Sequence, residues 1–462
     1  MIRYILLCIT MVLAVPAAAQ TQVPASQGQI ALSFAPVVKR AAPAVVNIYA
    51  KRMTEARPSP FAGDPFFEDF FRGFGRPQPR VQNSLGSGVI LDESGIVMSN
   101  YHVVGGATDI RVVLADRREF QAHVLLADEM ADLAVLQIDD AEDLPALSLR
   151  DSDAVEVGEL VLAIGNPFGV GQTVTSGIIS GLARAGVIRG NARSYFLQTD
   201  APINPGNSGG ALVDVNGDLI GINTAILSRS GGSNGIGFAI PANLVRAFLE
   251  QAKDGHDQFQ RPWAGMSGQE VDGDLADSLG LGVPGGILIA EMHRASPFRA
   301  AGFEVGDLIT HVGGLDVNSP AEMVFRMTIA GLGGTATVTR VRGGVAEDIE
   351  VAMIDPPDDP PAEETVLDEN SALPGLTVAR INPAVILRHQ LGLRDDGVAV
   401  LEPGRVGAWA GLQRGDILLE VNGRAIERSG DVVDALSRQR GRVEIEIEIE
   451  RGGRRYSLAF RT

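Results

Sequence analysis

Short apolar runs separated by turn residues dominate the chain from residue 86 to about residue 241. Typical examples are "GSGVIL", "GIVMSN", "LAVLQID", "LVLAIGN" and "GIGFAIP". Runs of this length, with no long helical pattern between them, predict an all-β barrel or sandwich. A helical pattern first appears at "PANLVRAFLEQAK", where Pro241 suits a helix start. We therefore predict a β-rich first domain over residues 20–253 that ends on this helix.

The C-terminal half repeats one pattern. "RAAGFEVGDLITHVGG" around Gly302 matches "AWAGLQRGDILLEVNG" around Gly411, with the Gly-Asp pair at the same offset. Such self-similarity indicates one supersecondary unit used twice. We place the two copies at residues 258–354 and 373–462. The acids and prolines of residues 355–372, including "DPPDDPPAEETVLDEN", predict an extended linker between them, since they cannot build a core.

The N-terminus "MIRYILLCITMVLAVPAAAQTQ" has the pattern of a secretory signal peptide, residues 1–19. Its apolar run is shorter than the roughly 20 residues that a membrane span needs. Cys8, the only cysteine, lies inside it, so the mature chain would suit an oxidising compartment. We expect a periplasmic protein whose membrane association is at most peripheral.

Residues 54–84 are rich in Pro, Gly, Phe and charge and predict a long exposed loop within the first domain. Its aromatic clusters are candidates for regulatory contacts, and a plain surface loop is the alternative. A length of 462 residues fits about three domains. The net charge of −18 argues against nucleic-acid binding. No cluster has the spacing of metal ligands, so neither a metal nor a cofactor is expected.

The stretch "DAPINPGNSGG", residues 200–210, allows a tight turn, a phosphate loop or a nucleophile at Ser208. No Gly-Lys-Ser/Thr follows, which disfavours the phosphate loop. A nucleophilic serine needs a base and an orienting acid. His102 begins a loop after an apolar strand and is the preferred base over His123, which lies in mid-strand. Asp132 immediately precedes an apolar strand and is the candidate acid, although a strand-start cap is the simpler interpretation.

Three motifs in the order His, Asp, Ser then carry a resemblance. "SNYHVV", "ADLAVLQI" and "INPGNSGGAL" resemble the catalytic domain of the HtrA (Deg) family of periplasmic serine endopeptidases. The C-terminal repeats resemble that family's two PDZ domains. The resemblance implies a mainly β fold: a chymotrypsin-like double β-barrel followed by two α+β PDZ domains. Ser99 and Tyr101 depart from the residues that many members carry there.

The resemblance also implies roles for particular residues. His102, Asp132 and Ser208 would form the catalytic triad. The oxyanion hole would be formed by the backbone of Gly206, Asn207 and Ser208, since a glycine without Cβ can turn its N–H inward. Asn207 replaces the aspartate that pairs with a new N-terminus in digestive relatives, so activation by cleavage of a pro-segment is not expected.

Pro202 occupies the position where trypsin-like enzymes carry the aspartate that attracts basic side chains. We therefore predict cleavage after small apolar residues such as Val or Ala. The predicted substrate-binding residues are Ile203, Thr224, Ala225, Ile226, Leu227 and Ser228.

PDZ modules capture the C-terminal carboxylate of a peptide that adds as a strand to a sheet edge. The candidate carboxylate loop of the first module comprises Trp263, Ala264, Gly265 and Met266. That of the second comprises Pro374, Gly375, Leu376 and Thr377. Plain strand-start glycines are the alternative, most seriously for the second loop.

Together these features predict an ATP-independent serine endopeptidase that degrades unfolded or damaged envelope proteins and captures peptide C-termini. The family resemblance implies a homotrimer, with larger cages as a further level of assembly. The alternative is mainly a chaperone or peptide-binding scaffold for unfolded envelope proteins.

Overall fold

The computed structural model describes residues 33–54, 80–166, 171–182, 195–204, 206–226, 234–281, 284–437 and 444–461. The predicted signal peptide and all but the ends of the predicted loop 54–84 lie outside these residues. Two units are present. The first comprises the described residues up to Leu182 and from Phe196 to Asp257; the second comprises Tyr195 and the described residues from Gln258 onward.

The first unit opens with a short helix, α1 (Ala35–Ala41), a 3-10 turn (Ala42–Ala44) and a closed six-stranded barrel. Its strands pair in the order β1-β2-β3-β6-β5-β4, and β4 closes on β1. They are β1 (Val45–Thr54), β2 (Arg80–Ile90), β3 (Ile96–Ser99), β4 (Asp109–Val113), β5 (Glu119–Asp128) and β6 (Leu133–Ile138). A single helical turn, α2 (Tyr101–Val104), follows β3 directly.

A second closed six-stranded barrel completes this unit, with the order β10-β11-β12-β9-β8-β7. Its strands are β7 (Leu160–Gly165), β8 (Thr173–Gly181), β9 (Leu197–Thr199), β10 (Ala211–Val213), β11 (Leu219–Ile226) and β12 (Gly237–Pro241). The helix α3 (Ala242–Lys253) then ends the unit, and Pro241 is its N-cap. The predicted double barrel is confirmed.

In the second unit, the first repeat folds into a sheet of order β13-β14-β15-β17-β18, with β16 paired to β15. Its strands are β13 (Met266–Glu270), β14 (Ile287–Met292), β15 (Leu308–Val312), β16 (Leu315–Asp316), β17 (Thr335–Arg342) and β18 (Val345–Ala352). Its helices are α4 (Gly273–Leu279), α5 (Pro297–Ala300) and α6 (Pro320–Ala330). Strand β13 is the outermost strand of this sheet as described.

The second repeat forms a sheet of order β19-β20-β21-β22-β24-β25, with β23 paired to β22. Its strands are β19 (Thr365–Val366), β20 (Thr377–Arg380), β21 (Val398–Glu402), β22 (Ile417–Val421), β23 (Arg424–Ala425), β24 (Glu444–Arg451) and β25 (Arg454–Arg461). Its helices are α7 (Pro383–His389), α8 (Gly404–Ala410) and α9 (Ser429–Leu436). Strand β19 belongs to the segment predicted as an extended linker.

Short sequence signals start several of these helices. Helices α5, α6 and α7 each begin at a proline preceded by Ser or Asn, whose side chain accepts a backbone N–H of the first turn. Proline at the first position costs no hydrogen bond, and the polar cap satisfies an otherwise orphaned donor. No helix within the described part of the chain is long and apolar enough to cross a membrane.

The repeated Gly-Asp pair has the same structural use in both copies. Asp416 has a fully buried side chain and accepts from Arg451 Nε at 2.6 Å and Nη2 at 2.7 Å. It also accepts from the Gln413 N–H at 2.8 Å. Asp307 makes the equivalent pair with Arg342. A buried carboxylate is tolerated because each pair satisfies it with charged and backbone donors.

Candidate active site

His102 lies on the single helical turn α2, at the rim of the first barrel. Its Nδ1 lies 2.9 Å from both Asp132 Oδ1 and Oδ2. Its backbone N–H donates to Asp132 Oδ1 at 3.0 Å. Because a carboxylate only accepts, this contact places the ring proton on Nδ1 and leaves Nε2 as the acceptor. The side chain of His102 is 51% exposed, so Nε2 is accessible to a reacting group.

Asp132 ends the turn that leads into β6. Its φ is +53°, a left-handed conformation that aspartate adopts more readily than most residues. Asn100 Nδ2 donates to its carbonyl at 2.8 Å and fixes the turn. The Asp132 side chain is only 19% exposed. Asp132 is therefore a largely buried acid whose carboxylate is directed at His102.

Thr224, on β11 of the second barrel, donates from Oγ1 to Asp132 Oδ2 at 2.6 Å. The sequence predicts Thr224 only as a substrate-binding residue, and its contact with Asp132 was not predicted. Local sequence pattern gives little indication of this contact, because Thr224 and Asp132 are 92 positions apart and meet only where the barrels face each other. The hydroxyl links the acid of one barrel to a strand of the other.

Ser208 lies on the turn before β10, close to the same strand. Its Oγ donates to the Thr224 carbonyl at 3.2 Å. Among the described residues this is the hydrogen bond that the hydroxyl makes, and none joins it to His102. The Ser208 carbonyl accepts from the Ser87 N–H at 2.9 Å. Gly209 has φ +82°, and a Cβ there would collide with the Ser87 carbonyl, so the residue after Ser208 must be glycine.

The backbone beside Ser208 only partly matches the predicted oxyanion hole. Gly206 has φ +98°, and its carbonyl accepts from Ser87 Oγ at 2.7 Å. The Asn207 N–H donates to the Asn204 carbonyl at 2.9 Å, so the inclusion of Asn207 among the oxyanion donors is wrong. In the part of the chain that is described, the N–H groups of Gly206 and Ser208 have no acceptor. Among the described residues, these two N–H groups are the candidate donors to an oxyanion.

The predicted substrate pocket is described only in part. Ile203 is buried in the apolar cluster of the second barrel. Gly237 makes room for it, because a Cβ there would lie 2.8 Å from Ile203 Cδ1. Leu227 and Ser228, and the side chains of Ala225 and Ile226, lie outside the described residues.

The carboxylate loop of the first module precedes the outer strand β13. Gly265 has φ +61°, and its carbonyl accepts from the His293 N–H at 2.8 Å. Trp263 is buried and meets His293 edge-on at 5.3 Å between ring centres. In the second module Gly375 has φ +77° and donates its N–H to the Leu367 carbonyl at 2.9 Å.

No group of three or more His, Cys, Asp or Glu side chains in the described ranges is placed to hold a metal ion. What the described residues bring together is a histidine held by a carboxylate, a serine on a glycine turn and two free backbone donors. This geometry, on a double barrel, defines the class of chymotrypsin-like serine peptidases.

Comparison with known proteins agrees with this class. Residues 86–222 match the trypsin-like peptidase domain, and residues 262–353 and 397–451 match PDZ domains. The periplasmic serine endoprotease DegP of Escherichia coli K12 is 34% identical over 442 residues, which cover 90% of each chain. A probable periplasmic serine protease of Haemophilus influenzae, do/HhoA-like, is 36% identical over 427 residues, covering 90% of this chain and 89% of that protein.

Among solved structures, the HtrA-type protease AlgW with a decapeptide superposes with a TM-score of 0.53 at 42% identity. The match covers 70% of this chain and 99% of that chain. The chain therefore belongs to the HtrA (Deg) family of serine endoproteases with PDZ domains. The fold and the family that the sequence predicts are both confirmed.

Proposed function

We propose that the chain is an exported, periplasmic serine endopeptidase that degrades unfolded or damaged envelope proteins without ATP, using His102, Asp132 and Ser208. The observation that carries this proposal is the contact of both Asp132 carboxylate oxygens with His102 Nδ1. Thr224 adds two hydrogen bonds: its hydroxyl donates to Asp132, and its carbonyl accepts the Ser208 hydroxyl.

Catalysis begins when the Ser208 hydroxyl turns from the Thr224 carbonyl to His102. His102 Nε2 takes the hydroxyl proton as Ser208 Oγ attacks the scissile carbonyl. Asp132 stabilises the resulting imidazolium through Nδ1. The N–H groups of Gly206 and Ser208 bind the oxyanion, and losing one such donor costs about 2.7–4 kcal/mol of barrier. His102 then protonates the leaving amine, and a water repeats the sequence on the acyl-enzyme.

Substrate choice follows from chemistry around the same turn. Pro202 provides no charge for a basic side chain, and buried Ile203 makes the neighbourhood apolar. The pocket therefore accepts a small apolar residue before the cleaved bond. Unfolded chains offer such residues in extended segments, and they also offer free C-termini.

The first PDZ module captures those C-termini along β13. Its edge is open among the described residues, and the backbone at Gly265 forms the carboxylate loop. In keeping with the family, the protein works as a homotrimer that can assemble into larger cages.

The test is degradation of reduced casein by the natural chain and by Ser208→Ala. Loss of the nucleophile should lower kcat by a factor on the order of 10⁶. Ser94→Ala is the matched control, because Ser94 is exposed on the first barrel, away from the site, and it should leave the rate unchanged. Equal degradation by Ser208→Ala would overturn the assignment. If neither protein degrades casein but both prevent its aggregation, the chain is mainly a chaperone.

A further inference from the structure

The groove strand of the second PDZ module is already paired on its outer side. Thr365 and Val366, which form β19, pair antiparallel with Val378 and Thr377 of β20. The Leu367 N–H continues the ladder by donating to the Leu376 carbonyl at 2.9 Å. A short segment between the modules has therefore added as a strand to the edge that a PDZ domain offers to its ligand.

The end of this segment meets the carboxylate loop. The Gly375 N–H, at the centre of the predicted loop, donates to the Leu367 carbonyl at 2.9 Å. That carbonyl takes the place that a carboxylate oxygen of a bound peptide would occupy. The antiparallel direction also agrees, because the C-terminal end of the segment lies at the start of β20.

Leu367 supplies the third feature of a ligand, an apolar terminal side chain. It is 4% exposed and belongs to the same buried cluster as Val432 and Leu436 of helix α9. Its neighbour Val366, by contrast, is 65% exposed. This alternation is that of a strand with one side chain inserted into a groove and the next facing solvent.

Further upstream contacts hold the segment along the same strand. The Arg380 N–H donates to the Ala362 carbonyl at 2.7 Å. Asn382 Nδ2 donates at 2.6 Å to both Asp358 Oδ1 and the Pro360 carbonyl. The predicted extended linker thus lies against the second module from Asp358 to Leu367.

The first module differs in this respect. In its described residues β13 has no strand on its outer side, and Ser267, Gln269 and Glu270 are exposed. The two copies share one fold, so the difference lies in the segment that precedes β20. Among the described residues, this segment adds a strand beside β20, and no such strand lies beside β13.

We infer that Thr365–Leu367 is an intramolecular ligand of the second PDZ groove, so that peptide C-termini bind only the first module until this segment is displaced. Residues 368–374 tether the ligand to the groove. A tether this short corresponds to an effective concentration of about millimolar, against which an external peptide must compete. The second module is therefore autoinhibited, with Thr365–Leu367 occupying its own peptide groove.

The test counts binding sites with a labelled decapeptide that ends in a free valine carboxylate, titrated against the full chain carrying Ser208→Ala. An amidated decapeptide is the control for carboxylate recognition. The natural segment should give one site per protomer. Replacing Thr365, Val366 and Leu367 by Gly-Ser-Gly should give two, with the far-ultraviolet circular dichroism unchanged. A folded replacement variant with no additional site would overturn the inference.

A second variant does not depend on the replacement folding. Val366→Cys with Thr377→Cys joins two directly paired residues, and the natural sequence has no cysteine beyond Cys8 in the predicted signal peptide. The disulfide should form under mild oxidation and leave the number of sites unchanged. Failure to form it, or the loss of one site on oxidation, would overturn the inference. If the protein with the natural segment binds no peptide and the replacement variant binds one per protomer, the first module is not the proposed capture site, but the autoinhibition of the second module is supported.

Discussion

Replacing Thr224 by valine removes one hydrogen-bond donor from Asp132 with almost no change of volume. The Thr224 hydroxyl donates at 2.6 Å to a carboxylate whose side chain is 19% exposed, so solvent replaces the lost donor poorly. A hydrogen bond to a charged group contributes about 1.5–3 kcal/mol. At about 1.4 kcal/mol per factor of ten, kcat/KM should fall about 10- to 150-fold.

The fall should lie in kcat, because the hydroxyl donates to Asp132, whose charge stabilises the imidazolium that forms in the transition state. The assay is hydrolysis of a chromogenic peptide that ends in valine, with kcat and KM measured separately. Thr224→Ser keeps the hydroxyl and should retain most of the activity. Thr108→Val removes an exposed hydroxyl elsewhere on the first barrel and should have no effect. Wild-type activity of Thr224→Val, or a loss of activity in Thr224→Ser as large as that in Thr224→Val, would refute a positioning role for this hydroxyl.

Three further predictions concern stability and specificity. Arg451→Met leaves the buried Asp416 carboxylate unpaired and should destabilise the second module by about 3–5 kcal/mol in urea unfolding, whereas Arg455→Met, at an exposed site, should change it by less than about 0.5 kcal/mol. A hydrogen bond from Lys253, together with smaller contributions from the backbone and side chain of Ser94, lowers the pKa of Asp92 from 3.8 to about 2. Because the folded-state pKa is the lower one, the ion pair stabilises the fold above pH 3.8, and this stabilisation is lost as the pH falls through 2. Lys253→Met should therefore lower the free energy of unfolding by at most about 1 kcal/mol at pH 6, since solvent screens the pair, and by less at pH 2. Peptides with valine before the cleaved bond should be hydrolysed faster than those with arginine, and the reverse order would exclude an apolar pocket.

Local pattern was sufficient for much of the candidate site. A histidine where an apolar strand gives way to a loop, an aspartate before an apolar strand and a serine among glycines each follow from short-range chemistry. Gly209 shows why the pattern is informative, because the turn excludes a Cβ at that position. The role of Thr224 could not be predicted in this way, since its hydroxyl meets Asp132 only across two barrels.

Two errors or omissions have the same origin. The Asn207 N–H was assigned to the oxyanion hole, but the turn uses it for the Asn204 carbonyl. Residues 355–372 have too many acids and prolines for a core of their own, yet Leu367 packs into the core of the neighbouring module. Composition describes what a segment can bury by itself and does not show what another segment offers to it.

By itself the sequence determined the strands, the turns, the duplicated module and the residue types at the candidate triad. These are set by alternation, by glycine and proline, and by caps within a few residues. Only the tertiary structure decided which barrel supplies each group to the candidate site, which backbone groups the serine turn uses for its own hydrogen bonds and which PDZ sheet has an added strand at its edge. Those outcomes depend on strand pairing and close packing between residues far apart in the chain. A local sequence pattern does not specify such long-range contacts.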